Sequence, residues 1–117
     1  MKTYRSLELD VIKWSEDRKI IPRSTPKAQA KKLVEEANET WEAATKLSFM
    51  GDLPKDSLAV QKTRRELIDG LGDCMVCLIN IAALADVDLV ECLGAAYEEI
   101  KGRRGEMNEE GIFVKQP

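Results

Sequence analysis

Two acidic clusters are the part of this sequence best able to do chemistry. The first is Glu35-Glu36-Ala37-Asn38-Glu39. On a helix, Glu36 and Glu39 lie about 60° apart around the axis, and Glu35 and Glu39 about 40° apart. Like charges at this spacing repel and mildly destabilise the helix. Glu36 borders an apolar stripe, so its carboxylate is expected to point partly inward, where an unpaired charge is costly. The second cluster is Glu66, Asp69 and Asp73, spaced i, i+3 and i+7 so that all three project to one side. Asp73 runs directly into Cys74–Ile79, which is almost wholly apolar. Gly70 and Gly72 lie between Asp69 and Asp73, and each costs about 1 kcal/mol against alanine inside a helix. Close approach of another helix, or a cation held by facing carboxylates, would account for the penalty. Two helices each presenting two acids make an all-oxygen donor set, which suits Mg²⁺ or Mn²⁺ rather than zinc or copper. The competing reading is that the acids are solvated or pair with Lys31, Lys32, Lys62, Arg64 and Arg65.

The rest of the composition narrows the chemistry further. The 117 residues contain no histidine, which excludes a Ser-His-Asp triad, a Cys-His pair and a His-ligated zinc. Eighteen Lys and Arg stand against 21 Asp and Glu, and a net charge of −3 argues against general nucleic-acid binding. No apolar run approaches the roughly 18–20 residues needed to cross a bilayer. The N-terminus is charged and lacks a secretory apolar region. Three cysteines fit a reducing compartment better than a disulfide framework. Cys74-x-x-Cys77 reads as a pair of small buried hydrophobes. The expectation is a soluble cytoplasmic protein with neither a nucleic-acid nor a membrane partner.

The elements that must position these acids are helical. Residues 6–18 predict a first helix with Leu7, Val11, Ile12 and Trp14 as its apolar stripe, and 19–25 a connector. Thr25-Pro26 reads as an N-cap followed by proline at the first helical position. The helix it opens runs to about Phe49, with Ala30, Leu33, Ala37, Trp41, Ala44 and Leu47 at three-four spacing. Met50–Pro54 breaks it. A third helix starts near Asp56 or Ser57 and continues to about Ala85. Its stretch from Leu67 to Leu84 is apolar on most sides, as expected of a helix buried between others. A turn at 86–88 leads into a fourth helix over about 88–104, and Gly111–Val114 reads as a short extended piece in the tail. The expected fold is one all-α, four-helix domain spanning 1–117, with short connections.

In this order, Glu35-Glu36-x-x-Glu39 followed by an acidic pair on the next helix resembles the MazG-like all-α nucleoside triphosphate pyrophosphohydrolases, whose pattern is EExxE, a spacer, then ExxD. Gly70-Leu71-Gly72-Asp73, the Val87-Asp88-Leu89 turn, the basic Lys101–Gly105 and the closing Gly111–Lys115 are similar to that family as well. The likeness runs from Trp14 to Val114. One position departs from the pattern. If Asp73 is the terminal Asp, Gly70 stands where a glutamate is expected, and Asp69 is the nearest substitute. The other register reads Glu66-Leu67-Ile68-Asp69 as the ExxD.

The resemblance implies a MazG-like four-helix bundle completed by oligomerisation, as a homodimer or homotetramer. It implies cleavage of a nucleoside triphosphate between the α- and β-phosphates, giving a monophosphate and pyrophosphate. Glu36, Glu39, Asp69 and Asp73 are then the Mg²⁺ (or Mn²⁺) ligands, and Glu35 the water-activating or supporting acid. Lys32, Lys101 and Arg104 would meet phosphate, Arg with paired hydrogen bonds. For Lys101 and Arg104, ordinary charge complementarity at a helix C-terminus is the competing reading. Asn80 would bond sugar or base, or be satisfied internally. Trp14 would stack on the base, or pack in the core. The alternative function is a non-catalytic helical module of the same fold that binds nucleotide or a protein partner.

Overall fold

The computed structural model describes residues 1–117 and is mostly helical, with 68% of the chain in helices. The helices are α1 (Tyr4–Asp17), α2 (Ile20–Arg23), α3 (Pro26–Ser48), α4 (Leu58–Leu84) and α5 (Leu89–Ile100). Two short strands follow, β1 (Gly105–Met107) and β2 (Phe113–Lys115). The chain divides into two compact units, 1–86 and 87–117.

Local chemistry sets most helix ends in the first unit. The Thr3 hydroxyl accepts from the Ser6 amide at 3.1 Å and the Ser6 hydroxyl from the Thr3 amide at 3.0 Å. This reciprocal cap satisfies two amides that have no partner within the helix, and starts α1 two residues earlier than spacing predicts. Lys19 takes the left-handed conformation just past the end of α1 (φ 66°), a position more often given to glycine. The segment expected as a plain connector then makes the single turn α2. Thr25 caps α3 through the Ala28 amide at 3.0 Å, with Pro26 at the first position as the sequence indicates. Ser57 caps α4 at the Val60 amide.

The core of this unit is the antiparallel pair α3 and α4, with α1 and α2 laid against α4. Three cross-contacts give the register. Lys46 bonds Glu66 at 3.0 Å, Thr40 Oγ1 lies 3.6 Å from Cys74 Sγ, and Asn80 donates to Gln29 at 3.3 Å. Ala43, Val60, Cys77, Ile79 and Ala82 form the buried apolar part.

Which face of each helix is buried differs from the expected stripes. On α3 the side turned to the protein is Gln29, Leu33, Glu36, Thr40, Ala43 and Leu47. Ala30, Ala37, Trp41 and Ala44 are exposed. Both rows have three-four spacing, so periodicity alone cannot choose between them. Where α3 crosses α4, Thr40 sits against Gly70. A Cβ on Gly70 would stand 2.4 Å from Thr40 Oγ1 and 3.2 Å from Thr40 Cα, so only small residues fit at this crossing. On α1 the buried residues are Glu8 and Ser15, while Leu7 and Trp14 are exposed. Glu8 is tolerated there because Tyr4 Oη donates to it at 2.9 Å and Arg5 at 2.6 Å. On α4, Cys77–Ala82 is largely buried as expected, but Ile68, Leu71 and Met75 are exposed.

By length and composition α4 could cross a bilayer, with a mean hydropathy of 1.8 over 18 residues, which corrects the expectation that no such segment exists. Its apolar half nevertheless carries Asp69, Asp73 and Asn80. One aspartate near the centre of a spanning helix costs about 2.5–3.5 kcal/mol.

A buried polar chain ties these helices together. The wholly buried Ser15 hydroxyl donates to Asn80 Oδ1 at 2.6 Å. Asn80 Nδ2 donates to Gln29, whose own amide donates to Ser24 Oγ at 3.0 Å. Ser15→Ala strands the Asn80 carbonyl oxygen away from water and is expected to cost about 1–3 kcal/mol. Urea denaturation checks this; an unchanged midpoint would show that the bond contributes nothing.

In the second unit, Asp88 caps α5 by accepting from the amides of Val90 (2.8 Å) and Glu91 (3.3 Å). The helix stops at Ile100, short of the expected 104. The residues beyond it pair as an antiparallel hairpin with Gly105 opposite Lys115 and Met107 opposite Phe113. The tail is thus two strands rather than one extended piece. A Cβ at Gly105 would meet the Val114 carbonyl oxygen at 2.2 Å, so β1 can begin only with glycine.

Candidate functional site

Where α1, α2, α3 and α4 meet, the first unit holds a cavity of about 470 Å³. Its charged wall is Lys32 and Glu36 from α3 with Asp73 from α4. Trp14, Ile20, Val76 and Cys77 supply apolar surface, and Gln29 and Asn80 supply amides. The antiparallel pairing of α3 and α4 creates this arrangement, because it carries the acidic cluster of one helix past the acidic stretch of the other.

Glu36 is the centre of the charge cluster. It is 92% buried as a residue (8% exposed), with Oε1 3.5 Å from Lys32 Nζ. Its Oε2 is buried with no hydrogen-bond partner at all. Buried carboxylate oxygens are almost always satisfied, so one left bare beside a cavity is open to a water, a donor or a cation. Its neighbours register the same field. Repulsion from Glu36, more than burial, pushes the Glu39 carboxyl above its ordinary value. Burial, then repulsion from Glu36 and Asp69, pushes Asp73 up. The hydrogen bond and charge of Glu35, followed by those of Glu36, push Lys32 up. Burial likewise raises the Cys77 thiol, as befits a small apolar residue rather than a reactive one.

These shifts carry a sign for stability. A carboxyl raised in the folded state holds its proton more tightly there than in the unfolded chain. Between the ordinary and the raised value, stability therefore falls as pH rises. The window opens just above the ordinary values of 3.8 for Asp and 4.5 for Glu. The metal-free protein is expected to lose stability through this window toward neutral pH, and Asp73→Asn to flatten the slope. Thermal melts across that range check it; identical slopes in the two proteins would contradict it.

The cavity brings together five of the ten residues singled out from the sequence: Trp14, Lys32, Glu36, Asp73 and Asn80. Glu39 and Asp69 are exposed and act on the others through their charge. Glu35 is exposed and pairs with Lys32 at 3.3 Å. Lys101 and Arg104 belong to the second unit, where Lys101 pairs with Glu98 at 2.6 Å. Trp14 is 44% exposed and stacks under the Arg18 guanidinium at 4.3 Å, so it is not a core residue. Asn80 has both ends of its amide engaged within the protein while still lining the cavity. Glu66, the first acid of the second register, is held by Lys46 at 3.0 Å. Gln29 and Cys77 were not anticipated. Their signal was spacing: Gln29 precedes Glu36 by seven residues, and Cys77 follows Asp73 by four.

The donor chemistry fits a hard divalent cation. All the charged acceptors are carboxylates, one buried oxygen is unpartnered, and mutual repulsion would be relieved by positive charge. No group of three or more acid or thiol side chains stands gathered at metal-ligating spacing. No family model matches the chain, and no curated protein or solved structure shows significant similarity to it.

Proposed function

We infer that this chain is a metal-dependent nucleoside triphosphate pyrophosphohydrolase of the MazG-like kind, acting in the cytoplasm without nucleic-acid or membrane partners. The observation that carries the reading is Glu36, whose unpartnered oxygen stands at the cavity where α3 faces Asp73 on α4. Glu36, Glu39 and Asp73, with Asp69 beside them, would hold Mg²⁺ or Mn²⁺. Bound there, the ion would neutralise polyphosphate charge and acidify a coordinated water. Lys32 offers a cation to the phosphates from the same wall. Glu35, outside the cavity and tied to Lys32, orients that lysine and supports the acids behind it. Trp14 offers its ring to the base, and Asn80 an amide edge. Lys101 and Arg104 are the further cations proposed to grip phosphate.

The same reading includes a four-helix bundle completed by a second copy, as a homodimer or homotetramer. Its support is the row Ala30, Val34, Ala37, Trp41 and Ala44 on α3, exposed at coiled-coil spacing, with Ile68, Leu71 and Met75 exposed on α4. Light scattering is expected to give a multiple of 13.1 kDa at micromolar concentration, and a monomer mass would remove this part.

Gly70 favours a second reading, a module of the same fold that binds nucleotide or a protein partner without turnover. The family's glutamate has no room there against Thr40. A panel of ribo- and deoxyribonucleoside triphosphates, with oxidised and deaminated forms, decides between the two. With Mg²⁺, release of pyrophosphate from at least one nucleotide is expected. If none is cleaved, and Glu39→Gln alters neither metal nor nucleotide binding, the enzymatic reading fails.

A further inference from the structure

The connection between α3 and α4 borders a second, half-open cavity of about 520 Å³, at the end of the helix pair away from Glu36 and Asp73. Its floor is aliphatic. Leu47 comes from the last turn of α3, Met50 and Leu53 from the loop, and the buried Val60 from α4. Gly51 and two cations, Lys55 and Arg64, complete the lining, and neither cation has a carboxylate partner. Nearby Lys46, by contrast, is paired with Glu66. The loop is held by its own backbone bonds, Met50 N to Leu47 O at 3.1 Å, Leu53 N to Met50 O at 3.0 Å and Ser57 N to Pro54 O at 3.0 Å. The cavity therefore stands preformed, within the size range of small-molecule sites.

The lining selects a ligand class. It contains no aromatic ring to stack a base and no acidic or amide side chain to bond a sugar. Arg64 lies one turn beyond Val60 on the same face of α4, so a tail resting on Val60 carries its head toward the cations. Arg and Lys both bind carboxylates through charge-assisted hydrogen bonds. We propose that this cavity binds a free aliphatic carboxylate, its head held by Lys55 and Arg64 and its chain laid over Leu47, Met50, Leu53 and Val60. The site is independent of the nucleotide reading. Arg64 and Asp73 are nine residues apart, about 14 Å of helix rise.

Amide shift mapping by NMR on the full chain tests it, with hexanoate, octanoate and decanoate as monomers and octanol and octylammonium as controls. Saturable shifts are expected over residues 47–64, with affinity rising about fourfold per covered methylene. Octylammonium should leave these amides unmoved. The double variant Lys55→Gln/Arg64→Gln should weaken octanoate about tenfold or more, leaving the octanol response unchanged. The proposal is overturned if no carboxylate shifts these amides, or if octanol binds as tightly as octanoate. It is equally overturned if only anionic vesicles produce the shifts. Broadening of the same amides with protein concentration alone would also overturn it, because a second copy would then cover the cavity.

Discussion

Replacing Gly70 with glutamate is expected to lower stability by about 3 kcal/mol or more, enough to unfold a large share of the molecules. The first added carbon already stands 2.4 Å from Thr40 Oγ1 and 3.2 Å from the Thr40 backbone. Thr40 cannot simply swing aside, because its hydroxyl donates to the Glu36 carbonyl at 2.7 Å. The rest of the side chain then has to part α3 from α4 or bury a carboxylate between them. Gly72 is the control. Nothing lies within 4 Å of its Cβ position, so Gly72→Ala is expected to gain about 1 kcal/mol from helix propensity alone. Urea midpoints of the two variants should move in opposite directions. If Gly70→Glu keeps the parent midpoint, the helices separate at this crossing more readily than their contact implies.

The second large effect concerns Glu36. Glu36→Gln keeps the shape of the side chain and removes its charge. Repulsion on Glu39 and Asp73 falls, while the ion pair with Lys32 is lost. The fold is therefore expected to be as stable as the parent, or more so, at neutral pH. Under the proposed function, Mg²⁺-linked nucleotide affinity and pyrophosphate release are expected to fall about 100-fold or more, since even outer partners of a metal site cost 10–100-fold. Retained stability with lost function would mark Glu36 as a functional group. Loss of both would mark it as a structural partner of Lys32. Calorimetric titration with Mg²⁺ and nucleotide, beside a thermal melt, separates the two.

Much of this was legible in the residues. Thr25-Pro26 and Ser57 announce the starts of α3 and α4 because capping is local chemistry, decided within four residues. The acidic clusters were visible because charge placed against an apolar run is costly and so stands out. The penalty carried by Gly70 was equally visible, and one of its two possible causes, the approach of another helix, is met at Thr40. Gly72 keeps its cost without such a contact, and nothing in the structure explains it.

What spacing left open was the choice of face. Both rows of α3 repeat every three or four residues, and one of them is plainly more apolar. The helix nevertheless turns Gln29, Glu36, Thr40 and Ala43 inward, with Thr40 seated against Gly70 where a Cβ has no room. On α1 the same kind of choice buries Glu8 and Ser15 and leaves Trp14 at a cavity edge. Sequence alone thus determined the four longer helices, the start of α3 and the identity of the acids, all of which depend on near neighbours along the chain. Only the tertiary structure decided that Glu36 and Asp73 share a cavity, that Asn80 is claimed by Ser15 and Gln29, and that Lys55 and Arg64 stand unpaired over an aliphatic floor. Those outcomes rest on contacts between residues more than 30 apart, or on the shape of a loop closing them, and no local pattern encodes either.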